Sequence, residues 1–371
     1  MRLLRNIDWL LLGAAFLISA AGIVSMESFS SVSPFADRQM LWVGLGLVSF
    51  FIFSSLDLRI LRRTSAVVVI YAGAAFLLTL LFFVGAVFSG AQGWFNLGAF
   101  AVQPADPAKL ALILLLAKYF SRRHIEIAHV RHLIVSGGYA FLIIALLFFQ
   151  PDFGSAVIVA GLWMGMVLVA GIPFRQLALL AGVGAASVLL LWNFGFADYQ
   201  KDRILTFLHP LADIQGTGYN AFQSTVAVGS GGLFGKGIGY GTQSRLQFLP
   251  QHETDFIFAS FAEEWGFLGV IILLSLFGVV IYRLVAIARQ GETNFESLFV
   301  LGVAVLIIVH ATVHIGTNIG LLPVTGTTLP FMSYGGSHIL VGYTMLGMAT
   351  AMRRYGRSVR GTADKELVGV V

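Results

Sequence analysis

Ionisable residues crowd the start of one apolar helix in the stretch HETDFIFASFAEEWGF, residues 252–267. Asp255 stands where a polar loop gives way to an apolar run, 256–287, that exceeds the ~20 residues needed to cross a bilayer. A carboxylate at such a boundary is partly desolvated, which raises its pKa and suits it to take a proton from a hydroxyl nucleophile as a general base. Glu263 and Glu264 follow, roughly 12–13 Å further along a helix at about 1.5 Å per residue. Charges at that depth are costly and mark functional sites. The plainer role for Asp255 is an N-cap, with Thr254 or Asp255 itself bonding the first free amides. A cap accounts for one residue, but not for His252, Glu253, Asp255, Glu263 and Glu264 gathering at one helix entry.

Other residues have chemistry to offer. Lys109 lies in QPADPAKLAL and Asp152 in QPDFGSA, both beside apolar runs. Asp152 could complement a helix dipole and Lys109 could reach toward headgroups. Alternatively the two pair with each other or with Asp255. His310, His314 and Asn318 recur every four residues, so they share a helix face. No glutamate sits between the histidines as a zincin requires, so hydrogen bonding between helices is the expectation. SGGLFGKG, residues 230–237, imitates a phosphate-cradling loop but has Ser230 for the first glycine and Gly237 for the final hydroxyl residue. Its glycines suit tight turns instead.

The elements that must position these residues are membrane helices. Of the 371 residues 57% are hydrophobic and 11% charged, which defines an all-α polytopic integral membrane protein, folded as a single membrane domain. There is no cysteine, which excludes disulfides, thiol nucleophiles and thiolate metal sites. Ten apolar runs are expected to span: 9–26, 40–56, 66–88, 108–120, 133–149, 154–171, 177–196, 256–287, 298–321 and 339–352. The first follows Arg2 and Arg5 in the manner of a signal peptide, but reads as a retained helix. With both termini cytoplasmic, seventeen of the 23 basic residues fall on the inside, as topology signals and lipid contacts, with no nucleic-acid partner expected. Residues 353–371 then form a cytoplasmic tail, and 197–254 an extracytoplasmic loop that faces outward with Asp106, Asp152 and Asp255. Chemistry on that face cannot use cytoplasmic nucleotides. It needs a substrate already activated, such as a lipid-linked sugar with a diphosphate leaving group; a transporter or channel needs none.

Several segments together resemble the SEDS family (shape, elongation, division and sporulation): QPADPAKL at 103–110, QPDFGSA at 150–156, YQKDRI at 199–204, GTGYNAFQSTVAVGSGGLFGKG at 216–237, LPQHETDFIFASFAEEWGFLG at 249–269 and LPVTGTTLPFMSYGGS at 322–337. The resemblance covers essentially the whole chain. It implies ten spans and a peptidoglycan glycosyltransferase that polymerises lipid II into β-1,4 glycan at the outer face of the bacterial cytoplasmic membrane during cell elongation. A lipid II flippase and a non-catalytic scaffold are the alternatives. By the resemblance Asp255 is the catalytic base, Lys109 and Asp152 line the cavity, and Ser333, Gly335, Gly336 and Ser337 let the last helix approach closely. Glu253 and Glu263 stand with Ser337 as candidate substrate contacts. Arg203, Lys236 and Arg245 are candidates to offset diphosphate charge because they are outward-facing cations. The resemblance further implies a divalent cation, Mg or Mn, with ligands unassigned, and as partner a class B penicillin-binding protein of the elongation complex. The family's usual glutamate in QPSE is Asp106 here, its Arg-Trp is Gly93-Trp94, and Gln251 replaces a common glutamate.

Overall fold

The computed structural model describes residues 7–28, 34–88, 91–96, 101–122, 130–209, 216 and 218–368. Arg2, Arg5 and Arg123, and residues 210–215 of the long loop, lie outside the described residues. Ten helices match the expected spans: α1 Trp9–Ser28, α2 Pro34–Ser55, α3 Thr64–Val84, α4 Ala105–Ser121, α5 Val130–Phe149, α6 Phe153–Val169, α7 Phe174–Phe194, α11 Ile257–Ala288, α12 Asn294–Asn318 and α13 Gly336–Val368. Three short helices, α8 Asp198–Leu208, α9 Tyr219–Ser230 and α10 Thr242–Arg245, fold the long loop. Seven of the ten are long and apolar enough to cross a membrane. The others fall short for visible reasons: α6 has 17 residues, α4 has 17 and carries Asp106, Lys109 and Lys118, and α13 runs on into the basic tail.

Two local expectations change. Residues 86–88, read from hydropathy as the end of the third span, are instead a strand: β1 Ala86–Phe88 pairs antiparallel with β2 Ala91–Asn96, which pairs with β3 Ala101–Val102. Gly85 ends α3 in extended backbone, and the chain turns back as a small sheet leading to α4. The tail after Met352 continues α13 as helix to Val368.

α12 is the central post, packed against α11, α4 and α6, while α13 lies along α2 and α1 along α11. Gly336 at the start of α13 abuts the Trp42 ring, where a Cβ would overlap it, so the small residues of SYGGS do permit close approach. α7 stands apart, with Gln176 its one buried side chain.

The polar groups sort to two ends of this bundle. At one end Asp8 caps α1 through Leu11 N (3.2 Å) and accepts from Arg283 of α11 at 3.1 and 2.5 Å and from Arg353 of α13 at 2.8 Å. Arg62 binds Glu292 and Glu296 at the same end. These residues are the ones that charge asymmetry assigns to the inside. Asp8 is 3% exposed, so Asp8→Ala leaves two arginines facing each other without their anion. The expected cost is about 3–5 kcal/mol, the range for breaking one partner out of a buried ion pair, read as a fall of several degrees in the detergent melting temperature.

At the other end, α11 is broken. Gly266 has φ +65° inside what hydropathy reads as one continuous span. The loop after α9 fills the break: Lys236 N and Gly237 N donate to the Glu263 and Glu264 carbonyls at 2.9 and 3.0 Å. In return Phe267 N and Leu268 N donate to the Gly232 and Leu233 carbonyls at 2.9 and 3.1 Å. Helix carbonyls and amides freed by a break must be paired within the protein when no water reaches them, and SGGLFGKG supplies these four partners. Gly235, at φ +79°, meets Gly266 so closely that a Cβ on either would overlap the other strand's backbone. The inner arm, residues 267–288, is about 33 Å long at 1.5 Å per residue and suffices alone to cross a bilayer. The outer arm, 257–264, is buried on every side, among protein rather than lipid.

Candidate active site

Asp255 enters the outer arm of α11 from a tight turn. Gln251 sits at φ +55°, and its carbonyl collects the amides of Thr254, Asp255 and Phe256 at 3.2, 3.0 and 3.2 Å. A non-glycine residue in that region is strained and persists where its surroundings hold it. Phe256 is the N-cap of α11 and makes no side-chain cap bond, and the first-turn amide of Ala259 is taken by Asn318 rather than by Asp255. The cap role is thereby removed for Asp255. Its carbonyl accepts from Asn318 Nδ2 (3.0 Å), whose Oδ1 accepts from Ala259 N (3.0 Å), so the end of α12 grips the start of α11.

The Asp255 carboxyl is half-buried, and burial pushes its pKa up to about 6. Thr254 and Arg203 pull in the opposite direction, and the charge of Asp152 adds to the rise. Burial dominates because a desolvated anion loses more than these partners return. Asp152 reaches the same region from the head of α6, where Oδ1 accepts from Ser155 N (3.0 Å) and Oδ2 from Gln103 Nε2 (3.1 Å). It is therefore a helix cap that also faces the site. Between these carboxylates runs the 322–335 segment: the Thr325 carbonyl abuts Gly154, and a Cβ on Gly326 would stand 3.4 Å from Asp255 Oδ2.

Lys109 pairs with neither Asp152 nor Asp255. Its Nζ lies 3.2 Å from Asp106 Oδ1, one helical turn away on α4, and both are buried. Asp106 also accepts from Ser337 Oγ (3.0 Å) and from His338 Nδ1 (3.2 Å). The shorter aspartate in the QPSE position thus keeps its pairing because Lys109 is an i,i+3 neighbour. His338 was not singled out above; a lone histidine directly after SYGGS is its sole sequence signal.

The other candidates divide. Arg203 on α8 acts on Asp255. Glu253 binds His252 (3.2 Å); burial opposes ionisation, but that bond and the imidazole charge prevail and lower its pKa. Its carbonyl accepts from Tyr334 N (2.9 Å), fixing the entry turn to the 322–335 segment. Glu263 is fully buried and committed to the loop: it accepts from Lys236 Nζ (2.6 Å), Thr242 N (2.9 Å), Thr242 Oγ1 (3.0 Å) and Gln243 N (3.1 Å). Lys236 is accordingly spent on Glu263, and Arg245 is exposed with Nη1 3.4 Å from the Gly239 carbonyl. Glu264 accepts from Ser28 Oγ (2.6 Å) and Gly239 N (3.0 Å), tying the loop to α1. Glu263, Glu264 and Lys236 thus tie the loop to the outer arm of α11 and to α1, while Arg245 bonds within the loop.

His310 and His314 do bond out of their helix, though to a loop: His310 Nδ1 lies 3.2 Å from the Thr328 carbonyl and His314 Nδ1 2.7 Å from that of Thr327. Among the described residues no three His, Asp or Glu side chains assemble into a metal cage. Magnesium commonly binds through one or two carboxylates and substrate phosphates rather than through such a cage, and Asp152 is one such carboxylate close enough to act on Asp255.

Comparison with known proteins bears on the family of the whole chain. The cell cycle protein family of FtsW, RodA and SpoVE matches residues 2–358. Stage V sporulation protein E of Bacillus subtilis is 35% identical over 351 residues, covering 94% of each chain. Peptidoglycan glycosyltransferase MrdB of Escherichia coli K12 is 33% identical over 346 residues, covering 93% of this chain and 92% of that one. Among solved structures, a chain of a peptidoglycan synthase complex that coordinates polymerization and crosslinking superposes with a TM-score of 0.79 at 33% identity, covering 94% of this chain and 98% of that one. The rod shape determining protein RodA of Thermus thermophilus gives 0.70 at 32% identity, covering 94% and 96%. With a family match over residues 2–358, relatives at 33–35% identity across more than nine-tenths of the chain and a superposable fold, this chain belongs to the FtsW/RodA/SpoVE family of multi-pass membrane proteins, the SEDS family.

Proposed function

We propose that the chain is a peptidoglycan glycosyltransferase that polymerises lipid II into β-1,4 glycan, with Asp255 as the general base. One observation carries the reading: a half-buried carboxyl that caps no helix and has its pKa lifted to about 6, at the head of a helix whose entry is over-constrained. The relatives' names point to the same activity. The Asp255 carboxylate takes the proton of the acceptor sugar's 4-hydroxyl as that oxygen bonds to the donor's anomeric carbon and the polyprenyl diphosphate leaves. A base with a pKa near the working pH is both unprotonated and basic enough to assist. Arg203 is the cation placed to face the diphosphate beside Asp255; Lys109 is neutralised by Asp106 and orients the cavity wall. A divalent cation would be held by Asp152 together with the substrate's phosphates, leaving Asp255 as the base, and would supply charge neutralisation for the departing diphosphate.

The active end faces away from the cytoplasm in this reading, which the clustering of inside-assigned charges at the opposite end supports. The partner is a class B penicillin-binding protein of the elongation complex, in keeping with the similarity to a chain of a polymerizing and crosslinking synthase complex. The groups that a flippase would string along a path, Glu263, Glu264, His310 and His314, are each bonded to a loop instead.

The pH dependence follows with a definite sign. The active form is the carboxylate, so polymerisation should rise through pH about 6 and fall roughly tenfold per unit below it. A rate profile whose acid limb lies near 4, the ordinary carboxylate value, would count against Asp255 as the base. The decisive test is polymer formation from purified lipid II with the penicillin-binding partner present, wild type against Asp255→Asn.

A further inference from the structure

Two imidazoles on one face of α12 are joined to consecutive carbonyls of the segment that passes the Asp255 carboxylate. A carbonyl can only accept, so Nδ1 carries the proton in both His310 and His314. Both rings are buried, at 2% and 0% exposure, and among the described residues neither Nε2 has a partner. Thr327 and Thr328, whose carbonyls they hold, follow Gly326, which lies against Asp255 Oδ2, and Thr325, which lies against the head of α6 behind Asp152. A bare, buried Nε2 is a cost. It is tolerated where the Nδ1 bond does a job that a plain apolar side chain would not do.

We infer that His310 and His314 are positioning residues for the transfer: their Nδ1–H groups clamp residues 325–328 and so set the spacing of the Asp255 and Asp152 carboxylates. This rests on Asp255 being the base. Sequence spacing alone showed a shared face; the structure shows that the face is spent on one four-residue segment. Asn318, one turn beyond, completes the row by holding the Asp255 carbonyl and the Ala259 amide. The same α12 face thus fixes Asp255 from below and the segment over it from the side. The charged groups acting on Asp255 are Arg203 of α8 and Asp152 ahead of α6, and a loosened clamp changes its separation from Asp152 and its access to water.

The test exploits the two nitrogens of imidazole. Asparagine places an N–H near the position of Nδ1, whereas glutamine reaches toward that of Nε2. His314→Asn should retain at least half of the wild-type kcat with an unchanged KM. His314→Gln should lose tenfold or more in kcat with KM within threefold. Hydrogen exchange of the 322–335 peptide in the full-length protein with its partner should quicken in His314→Gln and stay slow in His314→Asn. Equal loss of kcat in both variants, or loss in His314→Asn alone, overturns the clamp, since either result places the function on Nε2 or on ring packing. His310→Asn and His310→Gln should repeat the pattern, and a retained KM guards against misreading a misfolded protein. If Asp255→Asn still polymerises, the base assignment fails while the exchange comparison continues to judge the clamp by itself.

Discussion

Asp255→Asn should abolish polymerisation while leaving the protein at least as stable as wild type. Asparagine is nearly isosteric but cannot take the proton, and general-base assistance is worth about 10²–10⁴-fold, so polymer should fall to or below that fraction. The stability half of the expectation separates chemistry from folding. An aspartate whose pKa rises from 3.8 to about 6 on folding is one whose ionised form is disfavoured in the folded state. That penalty is absent below pH 4, grows as pH rises toward 6, and at neutral pH amounts to about 2–3 kcal/mol at 1.36 kcal/mol per unit. The neutral amide escapes it, so the melting temperature of Asp255→Asn should hold or rise at pH 7 and match wild type near pH 4. A polymerisation assay and a melting curve on the same sample test both halves. An unstable, inactive variant would point to a structural aspartate; an active one would return a flippase or scaffold to the front.

Glu263→Ala should be the most destabilising single change at the same end of the molecule. The carboxylate is fully buried and gathers two backbone amides, a hydroxyl and the Lys236 ammonium from residues 236–243. Alanine removes the buried acceptor of two loop amides and a hydroxyl and takes the anion from the partly exposed Lys236 ammonium, and losing such a partner costs about 1–3 kcal/mol. Because the same loop supplies the four backbone partners across the Gly266 break, its release should open α11 as well. Limited proteolysis should then cut within 231–245 in the variant and spare it in the wild type. Glu263→Gln, which keeps the acceptor oxygen but not the charge, should lie between them. Equal protease resistance in all three would mean that the loop is held by its glycine packing and not by Glu263.

Much was legible without coordinates. Apolar runs of the right length give the membrane class, and the seventeen-to-six charge asymmetry gives an expected side for each connection, because the bilayer imposes one length scale and one charge bias on every helix. The boundary position of Asp255 was equally plain, since polarity changes there over a few residues. The shared face of His310, His314 and Asn318 follows from helical period alone. The family segments agree with the family that the comparisons assign.

What stayed hidden depends on contacts between distant segments. A run as apolar as 256–287 reads as one helix; its break at Gly266 is stable because amides and carbonyls of residues 232–237 pair with those it frees. Lys109 was expected to meet Asp152 or Asp255, but it pairs with Asp106 on its own helix, and packing of α4 against α13 brings Ser337 and His338 to the same carboxylate. Glu263 and Lys236 each looked like a substrate group until the loop folded them onto one another. The sequence by itself determined that this is a multi-pass membrane protein with an acidic boundary residue poised for chemistry, because burial of apolar length and local polarity are properties of single segments. Only the tertiary structure decided which charges are free to act, because a buried charge is defined by the partner that reaches it through space.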